Sequence, residues 1–371
     1  MLRKRSLALI SSVAFVFLVS ASVPAQALAI PTLFIKLSAS PTLNHPGIVV
    51  IDPATHQTIF SLDPDIGRAP ASVLKLFSMT TILSALNADM VFKTTISETS
   101  TPGTYFLAGS GDPWITESPF EQQKYQRAFL PTLINKVLEL HPDSKSITLD
   151  YNNMYALDIA AVQRYFSGRL TINAVKVNSV TEGTTELASI QSPTLGKIVE
   201  FTLLYSDNVL ADRLARTAAH TLGFGTDAAG IQAAFEKVLT DLGVPHAGMH
   251  IYDGNGLSHE TRVSAREVAD LLVAISDNPK FQPIIAGLPT AGETGTLKTR
   301  FVNDAPNAVG LVHAKTGWIN TTVSLAGFVT VGDSQYTFAI IANHIHNLES
   351  ARQAARVTID QMLGSMAKPQ N

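Results

Sequence analysis

The chain has 371 residues, 46% of them hydrophobic and 15% charged, and its 27 lysines and arginines against 30 aspartates and glutamates give a formal net charge of −3. This balance describes a globular protein long enough for one large core or two domains, and it excludes a disordered polyelectrolyte and a basic nucleic-acid-binding surface. Cysteine is absent, which excludes a disulfide framework, a lipidated cysteine and a thiol nucleophile.

Arg3, Lys4 and Arg5 precede an uncharged apolar run from Ser6 to Val23, and small residues follow at Ala25-Gln26-Ala27 and Ala27-Leu28-Ala29. This is the layout of a secretory signal over residues 1–29. The alternative is an uncleaved anchor, because the run approaches the ~18 residues at which a spanning helix becomes possible. Contact with a membrane is expected only in that case, and either reading places the rest of the chain outside the cytoplasm, secreted, periplasmic or wall-associated. Cleavage would remove three of the 27 basic residues and none of the 30 acidic ones, moving the net charge to −6.

"GIVVIDPATHQTIFSLDP" (47–64) predicts two strands around a turn. A helix is predicted over 71–86, with Pro70 as its start signal. From 92 to 191 the pattern is irregular, with "SETSTPGTYFLAGSGDPW" rich in Gly, Ser, Thr and Pro, and it reads as a segment inserted into the main domain. Two helices are predicted to meet at Ser206-Asp207-Asn208, a third runs from Gly230 to Leu242, and a fourth starts at the Ser264/Glu267 capping box. Strands joined at Gly332-Asp333 and an amphipathic helix over 348–363 close the chain. Helices around hairpin-connected strands predict an α+β fold with an antiparallel sheet.

One charge is out of place in this pattern. Ser72, Lys75, Met79, Ile82 and Leu86 share a helical stripe, so Lys75 stands on an apolar face. A cation in the first helical turn meets the positive end of the macrodipole, and burying it unpaired costs several kcal/mol more. The bland account is that Ser72 caps the helix while Lys75 reaches water along its stem. The chemical account is that burial lowers the lysine pKa, so that its amine accepts the proton of a nucleophilic Ser72 one turn away.

Two further clusters favour the chemical account. Ser206-Asp207-Asn208 places a hydroxyl and an amide between helices, and Lys315-Thr316-Gly317 places a lysine and a hydroxyl beside a glycine that leaves room for a substrate strand. Single copies mean little, since Ser276-Asp277-Asn278 repeats one motif as a helix terminator and Ser365-Met366-Ala367-Lys368 repeats another in a polar tail. The joint order Ser-x-x-Lys, Ser-Asp-Asn, Lys-Thr-Gly is that of serine penicillin-binding proteins and class A β-lactamases.

With these motifs the chain resembles the low-molecular-mass penicillin-binding proteins that are D-alanyl-D-alanine carboxypeptidases/endopeptidases and carry an insertion between the first two motifs. "PASVLKLFSMTTILSALNADMVFKT", "GSGDPW", "YSDNVLADRLAR", "DGNGLS", "ETGTLKTRF" and "HAKTGWINTTVSLAGFV" also carry the resemblance, which covers most of 47–363 apart from the middle. It implies a transpeptidase-like domain over 30–91 plus 192–371 and a shortened insert over 92–191, since Ser72 and Ser206 stand only 134 positions apart. It implies that Ser72 is acylated with Lys75 as base, that Ser206 and Asn208 shuttle protons and hold the substrate amide, and that Lys315 and Thr316 bind the terminal carboxylate. The N–H groups of Ser72 and Trp318 would form the oxyanion hole, next to Gly317. The implied partners are peptidoglycan peptide stems and β-lactams, with no nucleic acid, cofactor or metal.

Two departures stand out. Trp318 occupies the place of the family's threonine after Lys-Thr-Gly, making the rim bulky, and Asn255 replaces a serine in "DGNGLS", read as a turn variation. The rivals are a β-lactamase, opposed by the lack of a glutamate in "VLTDLGVPHAGM" (238–249), and a silent penicillin-sensing or wall-binding protein. His344 and His346 are expected to diverge on a strand and so not to share a metal. Asp112 and Trp114 are expected to build a turn.

Overall fold

"GIVVI" is apolar at every position, and a strand of that kind needs cover on both faces. The computed structural model supplies it. It describes residues 29–179 and 184–369, so the secretory segment predicted over 1–29 lies outside the described residues but for Ala29.

In chain order, α1 (Thr32–Ser38) precedes the hairpin of β1 (Gly47–Ile51) and β2 (Thr58–Leu62). A 3₁₀ turn over Ala71–Leu74 leads into α2 (Lys75–Ala85). Next come β3 (Val91–Glu98), β4 (Thr104–Ala108), β5 (Ile115–Thr116), α3 (Pro119–Tyr125), β6 (Ala128–Phe129) and α4 (Pro131–Leu140). They are followed by β7 (Ser146–Asn152), α5 (Ala156–Phe166), β8 (Thr171–Lys176) and β9 (Thr185–Thr194). The helices α6 (Leu195–Tyr205), α7 (Asn208–Thr221), α8 (Ala228–Asp241), α9 (Ala265–Ser276) and α10 (Gln282–Ala286) come before β10 (Val312–Ile319), β11 (Thr322–Val331), β12 (Ser334–Ala342) and α11 (Glu349–Met366).

The main sheet has the order β10-β11-β12-β1-β2, antiparallel throughout, with Val49 opposite Ala339 and Lys315 opposite Ala326. Alternation along its strands divides the core. Ile48, Val50, Leu325, Phe338 and Ile340 point to one face, where α1 and α11 cover them. Val49, Ile51, Phe328, Ala339 and Ile341 point to the other, toward α2, α7, α8 and α9. In α2 every residue from Lys75 to Leu83 is buried, as in a helix enclosed by others rather than lying on a surface.

The middle of the chain is more regular than its composition suggests. A second sheet, β8-β7-β4-β3-β9, spans Val91 to Thr194, and β4, β7 and β8 in it run parallel. Parallel neighbours need crossovers, and α4 and α5 lie on the connections that provide them. Its core residues, Phe92, Ile96, Leu107 and Leu149 among them, merge with the cluster around α2. Among the described residues no helix is long and apolar enough to cross a membrane.

Candidate active site

Ser72 sits in the 3₁₀ turn Ala71–Leu74, and the two residues before that turn, Ala69 and Pro70, are held from the main sheet. Asn343, just past β12, accepts from the Ala69 N–H at 2.7 Å and donates to the Ala69 carbonyl at 3.0 Å. Ser324 on β11 donates to the Pro70 carbonyl at 2.6 Å. Ala71 then takes a left-handed φ of 51°, a conformation that costs a non-glycine residue energy and persists only where its surroundings enforce it.

One turn on, the Lys75 ammonium has no contact with solvent at 0% exposure. It donates to Ser72 Oγ at 2.8 Å, Asn208 Oδ1 at 2.8 Å and the Asn255 carbonyl at 2.7 Å. Burial lowers its pKa to about 7, against the opposing pull of Asp253 and Asp207. Both carboxylates are engaged elsewhere. Asp253 accepts the N–H groups of Gly256 and Ser258, and Asp207 caps α7 and faces Arg127 at 3.9 Å.

Lys315 is equally buried, on β10. It donates to Ser206 Oγ at 2.9 Å and the Thr316 carbonyl at 2.8 Å, and burial followed by repulsion from Lys75 holds its pKa well below the usual lysine value. The first cause of the depression of Lys75 is thus its own burial, and the repulsion between the two lysines disfavours charge on both. Ser206 ends α6 in a left-handed conformation with φ 58°, and Asn208 opens α7, so two helix ends meet over Ser72.

The third motif closes the opposite wall. Thr316 Oγ1 lies 2.8 Å from Thr296 Oγ1. A Cβ on Gly317 would lie 2.0 Å from Ser324 Oγ and 2.6 Å from the Pro70 carbonyl. The glycine therefore makes room for the protein's own chain ahead of Ser72, in place of the substrate strand read from sequence. Ser72, Ser206, Asn208, Thr316, Gly317 and Trp318 open on one cavity of about 320 Å³, whose remaining wall includes Leu257, Thr296, Arg300 and Arg356.

All eight residues singled out in the sequence come together here. The reading of "DGNGLS" as a turn left out the Asn255 carbonyl under Lys75 and the closeness of the packing at Gly256, where φ is 82° and a Cβ would lie 1.9 Å from the Ala71 carbonyl. Thr296 and Arg300 lay in the quoted "ETGTLKTRF" without a role, and Arg356 carried no signal within an ordinary amphipathic helix.

The other candidates lie elsewhere. Asp112 is buried near β5, accepts the Trp114 N–H at 2.8 Å, and is pushed up to about 7 by burial, away from the cavity. His344 and His346 lie beyond the end of β12 and are both exposed with Ile345 buried between them; residues two apart in an extended chain share a face, so strand alternation gives no ground for the divergence expected from sequence. Ser276 ends α9, and Asn278 caps the following turn. Ser365 lies in the last turn of α11, where a polar tail was expected.

A profile of the D-Ala-D-Ala carboxypeptidase 3 (S13) family matches residues 35–130 and 138–366. The chain is 34% identical over 167 residues to carboxypeptidase DacB of Mycolicibacterium smegmatis, a match covering 44% of this chain and 36% of that protein. It is 24% identical over 418 residues to the D-alanyl-D-alanine carboxypeptidase of Actinomadura sp. strain R39, covering 80% and 77% of the two chains. Its fold is similar to that of penicillin-binding protein 4 from Haemophilus influenzae, with a TM-score of 0.71 and 18% identity over 89% of this chain and 98% of that one.

Proposed function

Because the chain belongs to the D-Ala-D-Ala carboxypeptidase 3 (S13) family, we propose that it is a serine D-alanyl-D-alanine carboxypeptidase/endopeptidase, cleaving peptidoglycan peptide stems through an acyl-enzyme on Ser72. The observation that carries the reading is the 2.8 Å hydrogen bond between Ser72 Oγ and a lysine whose pKa burial has brought to about 7. A lysine at its ordinary pKa would be protonated at neutral pH; this one is neutral for a substantial fraction of the time.

In its neutral form Lys75 takes the Ser72 proton as Oγ bonds to the carbonyl carbon of the scissile amide. The N–H groups of Ser72 and Trp318 receive the oxyanion, a donor of this kind being worth ~2.7–4 kcal/mol. Asn208 holds Lys75 and the substrate amide, and Ser206, backed by Lys315, delivers a proton to the departing amine as the C–N bond breaks. Water then releases the acyl group. Thr316, Gly317 and Trp318 line the substrate side, with Lys315 acting from behind them. Penicillin acylates the same serine, and residues 1–29 direct the chain out of the cytoplasm to its substrate.

Mass spectrometry after incubation with penicillin tests this. A covalent increment on Ser72 that is absent from Ser72→Ala supports it, and an unmodified Ser72 overturns it. Turnover of a D-Ala-D-Ala peptide separates a peptidase from a silent penicillin sensor, and rapid steady-state hydrolysis of penicillin would mark a β-lactamase instead.

A further inference from the structure

We propose that Arg356 is the cation that anchors the free carboxylate at the end of the substrate peptide; this deepens the peptidase reading above and rests on it. Most of the positive charges around the cavity are already committed. Lys75 and Lys315 are fully buried and spend their N–H groups on Ser72, Asn208, Asn255, Ser206 and the Thr316 carbonyl. Neither lines the cavity. Arg300 does, but Asp360 clamps it through both Nε and Nη2.

Arg356 also lines the cavity, and among the described residues its guanidinium makes no hydrogen bond or ion pair. The acids nearest to it are committed, Asp360 to Arg300 and Glu349 to Arg352 at 2.9 Å. What holds Arg356 in place is Trp318, whose ring centre lies 4.8 Å from the guanidinium carbon. A cation over an indole face is positioned without using up its donors, so the fork of N–H groups stays available to a carboxylate.

This gives Trp318 a purpose. A threonine at that position would offer a carboxylate one hydroxyl; the tryptophan offers none but carries a guanidinium to the same wall as the Thr316 hydroxyl. Burial, and after it the neighbouring Arg300, disfavour the charge of Arg356, and an arriving carboxylate relieves both.

The test uses the full-length protein and two D-Ala-D-Ala peptides that differ only in ending as a free carboxylate or a carboxamide. The ratio of their kcat/KM values is compared for wild type, Arg356→Gln, Arg356→Lys and Arg352→Gln, the last removing a guanidinium from the same tryptophan outside the cavity. We expect Arg356→Gln to lower the preference for the acid about 10- to 100-fold, Arg356→Lys to keep part of it, and Arg352→Gln to leave it within about twofold of wild type. An unchanged ratio in Arg356→Gln, or an equal collapse in Arg352→Gln, overturns the assignment. Penicillin adducts measured in parallel separate the two readings. A wild-type adduct on Ser72 with an unchanged ratio in Arg356→Gln removes the anchor alone, whereas a wild type that neither forms the adduct nor cleaves either peptide removes both.

Discussion

A lysine ammonium that has lost its water and donates to three neutral oxygens is satisfied in hydrogen bonds but not in charge. That is the state of Lys75, and burial lowers its pKa for this reason. Acylation of Ser72 by penicillin should therefore rise with pH along a limb centred near 7, and Lys75→Ala should lose about 10²- to 10⁴-fold in acylation rate, the usual worth of a general base; stopped-flow acylation across pH 5.5–9 checks both. The same shift links to stability. An unfolded Lys75 keeps its proton up to about 10.5 while the folded one sheds it near 7, so between those values the unfolded state binds more protons and this group makes wild type more stable as pH rises. The slope is at most about 1.4 kcal/mol per pH unit. The stability difference between wild type and Lys75→Met, followed by denaturant titration from pH 7 to 10, should move in wild type's favour as pH rises.

At the scale of elements, the nucleophile's turn is clamped from two sides. β11 and β12 hold Ala69 and Pro70 through Ser324 and Asn343, and the 253–258 loop presses on Ala71 from the other side. Ser78 of α2 ties that loop down by donating to the Gly254 carbonyl at 2.5 Å. Gly256→Ala adds a Cβ where the nearest atom is backbone and where φ is already left-handed. A loss of about 2–3 kcal/mol of stability is expected, with slower acylation because the Ser72 turn must shift. Urea unfolding and acylation rates measure the two effects. Conversely, Asn343 contacts no substrate in the proposed reaction, so Asn343→Ala should slow acylation while penicillin still reaches Ser72 in full given time.

Across the whole molecule, the second sheet and the helices behind the main sheet share one apolar cluster, with Phe92 and Trp114 in the same core as Phe77 and Leu210. A core continuous in this way predicts one cooperative thermal transition. Phe92→Ala, which empties a site in the second sheet, should cost about 3–5 kcal/mol and lower together the unfolding temperature by circular dichroism and the temperature at which the Ser72 adduct is lost. Two separated transitions would mean that the shared core does not couple the sheets.

Local order in the chain was enough to establish the hairpins, the Ser264 capping box, the meeting of α6 and α7, and the three motifs in sequence, because periodicity, caps and turn residues act over a few positions. It was also enough to mark Lys75 as anomalous, since an apolar stripe is visible without knowing what covers it. The partners of that lysine were another matter: Asn208 and Asn255 lie 133 and 180 positions away in the chain. Likewise, the regular second sheet depends on parallel pairings that short polar strands do not advertise, and Gly317 is small because of Ser324 and Pro70, which only folding brings beside it. Arg356 shows the limit most plainly, because whether a surface cation is free depends on which acids its neighbours have already taken, and that is decided by packing.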